Sequence, residues 1–112
     1  MNTVTLPLYK HKKTEIDINQ IVRVSSDINY SEFFFSDTPR SIVIAKTMGK
    51  FIPYLSQYQF IRPCRGHLIN MQFIETVSIS RHGGKILLKD GYEIPISRRR
   101  LKEVLGRLGT TY

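Results

Sequence analysis

Cysteine is almost absent from this chain of 112 residues: Cys64 stands alone, so no intramolecular disulfide framework can form. Nothing points to a secreted, oxidising setting, and a cytoplasmic location is expected. No apolar run approaches the length of a bilayer span, and Met1 to Lys13 holds none long enough for a signal-peptide core. Neither export nor membrane insertion is expected. Internal repeats, low-complexity tracts and Gly-Ser or Pro-rich linkers are missing too, so residues 1–112 read as one domain. That length suffices to bury a core without disulfide or metal staples. Tryptophan is lacking, but six Phe, six Tyr and 41% hydrophobic residues are ordinary for a folded soluble protein.

Catalytic signatures are equally scarce. The chain shows no phosphate-cradling glycine loop and no nucleophile motif, and its acids are scattered through strands and turns where no positioned general base emerges. An enzyme is not expected. Cys64 and His67 have the spacing of half a zinc site, yet His11 and His82 fall in distant loops and a closed site needs four ligands. No metal or cofactor is therefore expected. Cys64 reads as a small core residue, with a redox-sensitive neighbour of Arg62 and Arg65 as the alternative.

Negative charge is the other shortage. Nine Asp and Glu face seventeen Lys and Arg, giving a net charge of +8, and a field of that sign attracts polyanions. From Phe60 onward ten basic residues face four acidic ones, so +6 of the +8 lies in the second half. Nucleic acid is the first partner to consider.

The pattern of the remaining residues is mostly β. Val4, Leu6 and Leu8 alternate with polar residues as in a half-buried strand, and Lys10 to Lys13 reads as a solvated basic turn. Glu15–Ile18 and Ile21–Val24 suit two short strands, and Ser25–Ser31, rich in turn formers, is expected to be a loop. A turn at Asp37–Arg40 predicts a hairpin of Phe33–Phe35 with a buried strand at Ser41–Ala45. Thr47 is placed to cap a short kinked helix carrying Met48, Phe51, Ile52 and Leu55 at helical spacing, with Gly49 and Pro53 weakening it. Phe60–Arg65 is expected as a strand, followed by an irregular or one-turn passage over Gly66–Phe73. Three strands, Ile74–Ser80 with a bulge near Glu75 or Thr76, Lys85–Lys89 and Tyr92–Ile96, then form a meander. Ser97 caps a terminal helix whose Leu101, Val104, Leu105 and Leu108 make an apolar stripe that ends near Gly109.

Two basic clusters interrupt this pattern. Arg62 and Arg65 lie among the buriable residues Phe60, Ile61, Leu68 and Ile69, and a guanidinium must find water or an anion. Arg98, Arg99 and Arg100 open the terminal helix, where cations oppose the macrodipole, so an external phosphate is the expected partner. Arginine reads guanine edges bidentately and also clamps phosphate.

The order Phe60-Ile61-Arg62, Arg65, Leu68-Ile69-Asn70, an apolar Ile74, then Asp90-Gly91, Ile94-Pro95-Ile96-Ser97, Arg98 to Arg100 and a Leu-rich helix resembles the LytTR family of bacterial DNA-binding domains. The resemblance covers about residues 21–108 and is specific in the last fifty or so. It implies a mostly β fold, an elongated sandwich of short antiparallel strands with one short inserted helix and a C-terminal helix. It also implies sequence-specific binding of double-stranded DNA by a transcriptional regulator, with loops in successive major grooves. Arg65 and Arg99 stand where base-contacting residues sit, and Tyr30, in the loop Asn29 to Ser31, is the third candidate. Asn29, Ser31, Arg62, Gly66, Ser97, Arg98, Arg100 and Lys102 fall at or beside expected phosphate positions.

The chain departs from the family at Cys64-Arg65-Gly66, where His-Arg-Ser is usual, and at Pro63, which replaces a β-branched residue. Relatives often carry the domain behind a phosphoreceiver or membrane sensor. None is read in these residues, and a partner sensor or regulator is expected to supply the signal, with a homodimer on DNA a further expectation. Two other functions compete: a protein-interaction module on the same fold, and a single-stranded nucleic-acid binder stacking bases on Tyr30 and Phe33 to Phe35.

Overall fold

The computed structural model describes residues 3–9 and 12–109. Across these described residues ten strands form three antiparallel sheets. Strands β1 (Thr3–Tyr9) and β2 (Lys12–Asp17) make a two-stranded ribbon. The central sheet of five is ordered β5 (Ile42–Ile44), β4 (Tyr30–Phe35), β3 (Ile21–Asp27), β7 (His67–Asn70), β6 (Phe60–Cys64). The meander β8 (Ile74–Ser80), β9 (Gly83–Leu88), β10 (Glu93–Ile96) is the third sheet. Helix α1 (Ile52–Leu55) lies between β5 and β6, and α2 (Leu101–Arg107) follows β10. The principal extents, 45 × 30 × 25 Å, agree with the elongated form expected.

Neighbouring residues of the central sheet feed two separate cores. On one face Ile21, Val24, Phe33, Phe60 and Leu68 pack with Val4, Leu6 and Leu8 of β1 and with Phe51 and Leu55. On the other face Val22, Ile61 and Ile69 meet Ile86, Leu88, Ile94 and Ile96 of the meander and Val104 of α2. Because successive side chains point to opposite faces, a strand covered on both sides shows a continuous apolar run rather than alternation. For that reason His67–Asn70, expected as irregular chain, is a strand.

Several other expectations shift. Ser25–Ser31 is mostly strand: β3 continues to Asp27 and β4 begins at Tyr30, leaving Ile28 and Asn29 as a two-residue turn. The β4–β5 hairpin forms, but through Ser31–Phe33 against Ile42–Ile44. β5 is an edge strand with Val43 58% exposed, so the expected burial of Ser41–Ala45 holds for Ile44 alone. The inserted helix is split as Gly49 and Pro53 suggest, into a 3-10 turn (Met48–Lys50) and α1, and Thr47 makes no side-chain cap. The meander, with its register shift between Ile74 and Thr76, is as expected. Of the Lys10–Lys13 turn, Lys10 and His11 lie outside the described residues.

Candidate nucleic-acid interface

At one end of the central sheet three chain segments are tied together by backbone hydrogen bonds. The β6–β7 hairpin turns at Arg65-Gly66, and the Gly66 carbonyl accepts from the Ser26 N–H of β3 at 2.9 Å. The Ile28-Asn29 turn lies just beyond Ser26, since Ser26 pairs with Ser31 and Asp27 with Tyr30. On the other side the Ser97 N–H donates to the Pro63 carbonyl at 2.9 Å, which fixes the start of Arg98–Arg100 beside the same hairpin. Proline has no N–H to offer a ladder, and β6 loses its register with β7 between Ile61 and Cys64, around Pro63. That interruption leaves the Pro63 carbonyl for Ser97. The substitution at Pro63 thus suits this edge.

The cations converge here. Arg65, Arg98 and Arg99 are exposed, while Arg62 and Arg100 are half-buried. Arg62 Nη2 donates to the Arg65 carbonyl at 2.8 Å, bracing the turn from within, and its Nε is buried with no hydrogen-bond partner. Burial pushes the Arg62 guanidinium below its ordinary value, and the like charges of Arg100 and Arg65 add to the shift against an opposing contribution from Cys64. It remains a cation at neutral pH. Among the described residues the one ion pair is Lys85 with Glu93 at 3.6 Å, so no carboxylate neutralises the arginines of this end.

The first turn of α2 differs from expectation. Arg98–Arg100 form a 3-10 turn ahead of α2, and Ser97 precedes it without a side-chain capping bond. The three arginines therefore do not form the first turn of α2 as expected, because α2 itself starts at Leu101. The apolar stripe docks as foreseen through Val104 and Leu105, and Arg107 Nη1 binds the Phe60 carbonyl at 2.7 Å. Lys102 stays exposed.

Of the third segment, Asn29 is exposed and Tyr30 is 50% exposed. Ser31 is a correction: it is fully buried, and its hydroxyl donates to the Lys46 carbonyl at 2.7 Å, so it faces the sheet and not the surface. Gly66 is half-buried in ordinary backbone conformation, and a Cβ there would meet only the Ser26 carbonyl oxygen, at 3.9 Å. Glycine in place of the family's serine removes a hydroxyl without any demand of shape.

Sequence reasoning missed Arg23. It is 7% exposed, and its guanidinium carbon lies 3.6 Å from the ring centre of Phe34 and 3.7 Å from that of Tyr92. This stack joins the central sheet to the β9–β10 turn through two cation–π contacts. The signal available was a lone arginine inside Ile21-Val22-Arg23-Val24. Cys64 Sγ sits 3.4 Å from His67 Nδ1, with no third ligand-type side chain grouped with them among the described residues. Phe33 is fully buried and has no free face for base stacking, and Arg23 already occupies one face of Phe34.

A five-stranded sheet with a separate core on each face, and an arginine-rich end where three turns meet, define an elongated β domain with one strongly cationic end. A solved LytTr DNA-binding domain from Bacillus cereus, of a protein described as a methyl-accepting/DNA response regulator, has the same fold. It aligns with a TM-score of 0.76 at 14% identity, covering 97% of this chain and 98% of that one. The LytTr DNA-binding domain family matches residues 11–109, and the chain belongs to that family. No curated protein matches it. Membership in a family of DNA-binding domains supports DNA binding and a role in transcription regulation, and the family is not an enzymatic one. No helix among the described residues is long and apolar enough to cross a membrane.

Proposed function

We propose that the protein binds double-stranded DNA sequence-specifically as a transcriptional regulator, with Arg65 and Arg99 reading base edges in the major groove. The observation that carries this reading is the convergence of Arg65 and Arg98 to Arg100 at one end of the sheet, exposed or half-exposed and without carboxylate partners. The turns at Ile28-Asn29 and Arg65-Gly66 lie two strand spacings apart, about 10 Å. A major groove is about 12 Å wide, so neighbouring turns can straddle a groove wall and its phosphates. Tyr30 is the third base-contact candidate. Asn29, Gly66, Ser97, Arg98, Arg100 and Lys102 surround these positions and hold or approach phosphates. Arg62 supports the turn that aims Arg65.

Selection from a random duplex pool tests the proposal, since operator sequence, half-site spacing and any dimer geometry emerge together. On the selected site Arg65→Ala and Arg99→Ala are each expected to cost about 1 to 3 kcal/mol and to relax preference at one position. Unchanged affinity and selectivity in both variants would remove them from base readout. A protein-interaction role on the same end predicts no enrichment of any DNA sequence.

A further inference from the structure

The end of β4 away from the Ile28-Asn29 turn carries a second surface of opposite character. Two adjoining depressions, of about 580 and 410 Å³, share Phe35, Asp37 and Thr38 and run on either side of the turn between β4 and β5. Their apolar lining includes the partly buried Phe35, Phe73, Ile16 and Ile42. Four of the nine acids of the chain, Glu15, Asp17, Asp37 and Asp90, line the same groove, against two cations, Arg40 and Lys89. None of the four is in an ion pair among the described residues, although the chain carries seventeen Lys and Arg.

We propose that this groove docks a cationic amphipathic segment of a partner protein, its apolar residues covering Phe35 and Phe73 and its Lys or Arg residues pairing with the carboxylates. Two features favour this occupant. An apolar groove rimmed by one sign of charge selects a ligand of the opposite sign, and unpaired carboxylates leave that charge available. The segregation is also spatial: β4 runs from the arginine-rich end at Tyr30 to the groove at Phe35, so a partner seated there leaves the cationic end free. DNA and partner can then be held at once. The inference does not rest on the DNA-binding reading, and its test contains no DNA.

The probe is a synthetic peptide of leucine and lysine patterned as an amphipathic helix, titrated into the whole chain with amide-resolved NMR. Because the protein is itself +8, non-specific attraction works against this peptide, and binding reports a local site. The expected result is shifts concentrated at Phe35, Asp37, Phe73 and Asp90, lost with a leucine and glutamate peptide of the same pattern. Replacing Asp17→Asn and Asp37→Asn together is expected to weaken the peptide about threefold or more at low salt. Asparagine keeps the hydrogen bond by which the Asp17 side chain caps the following turn, so the fold is spared. Thr38→Lys, on an exposed residue of the groove, is expected to weaken it as well. No shifts, dispersed shifts, equal binding of the glutamate peptide or indifference to these variants would overturn the proposal. Salt-sensitive self-association through the groove would overturn it in favour of a second copy of this chain.

Discussion

Arg62 shows how far a single side chain can be interpreted from its neighbours. In the sequence it is a cation between Ile61 and Pro63, equally suited to a phosphate or an internal contact. The structure commits one terminal nitrogen to the Arg65 carbonyl and buries Nε. On the proposed reading, a residue spent this way stiffens the turn that carries Arg65 and is not itself a phosphate contact. Arg62→Met should therefore weaken binding to the preferred site while leaving the slope of log affinity against log salt unchanged. A slope reduced by about one unit would instead make Arg62 a phosphate contact. His67 carries a prediction of another kind, because burial, reinforced by the charge of Arg23, lowers its pKa from 6.5. The unfolded chain then binds the proton more readily than the folded one. Stability from this group is present above the unfolded value, begins to fall as pH drops through about 6.5, and levels off below the folded value. His67→Gln should lose less stability than the parent between pH 7 and pH 5 in urea titrations.

Elements were legible where one face is buried and obscure where both are. β1, the meander and the apolar stripe of α2 follow periodicities of 2 and 3.6, and each is found close to where the pattern predicts it. β7 breaks the rule since Leu68 and Ile69 serve different cores. The β8–β9 hairpin offers a test of local geometry. Gly83 has φ of 130°, and a Cβ there would lie 2.8 Å from the Ile96 carbonyl oxygen, a backbone atom that cannot swing aside. Gly83→Ala should destabilise the chain by about 1 to 3 kcal/mol in chemical denaturation. After this same end of β10, α2 carries the exposed Lys102 just beyond the arginine turn. Lys102→Ala is expected to weaken binding to all duplexes alike and to lower the salt slope by about one unit.

At the scale of the whole molecule the charge is polar in its distribution. Arginines gather where β3, β6 and the chain after β10 meet, and unpaired carboxylates line the groove at the far end of β4. The association rate with DNA should accordingly fall with added salt more steeply for the parent than for Arg98→Ala/Arg100→Ala, as stopped-flow mixing with labelled duplex would show. Composition alone located the excess of charge in the second half of the chain. It could not show that Ser31 faces inward, that Arg23 lies between two rings, or that Asp17, Asp37 and Asp90 share a surface. Those facts depend on contacts between residues far apart in sequence.

The feature most visible without coordinates was the stretch from Phe60 to Asn70. Its residue types by themselves determined a buried, charge-bearing segment in a basic β domain, because hydrophobicity, fixed charge and turn propensity are properties of individual residues. Tertiary structure decided the rest. It folded that segment into a hairpin, tied the Arg62 side chain to the Arg65 carbonyl, and fixed the start of the Arg98–Arg100 turn beside the hairpin through Ser97 and Pro63. Which side chains become neighbours, and which are left without a partner, is settled by long-range strand pairing, and no local pattern encodes it.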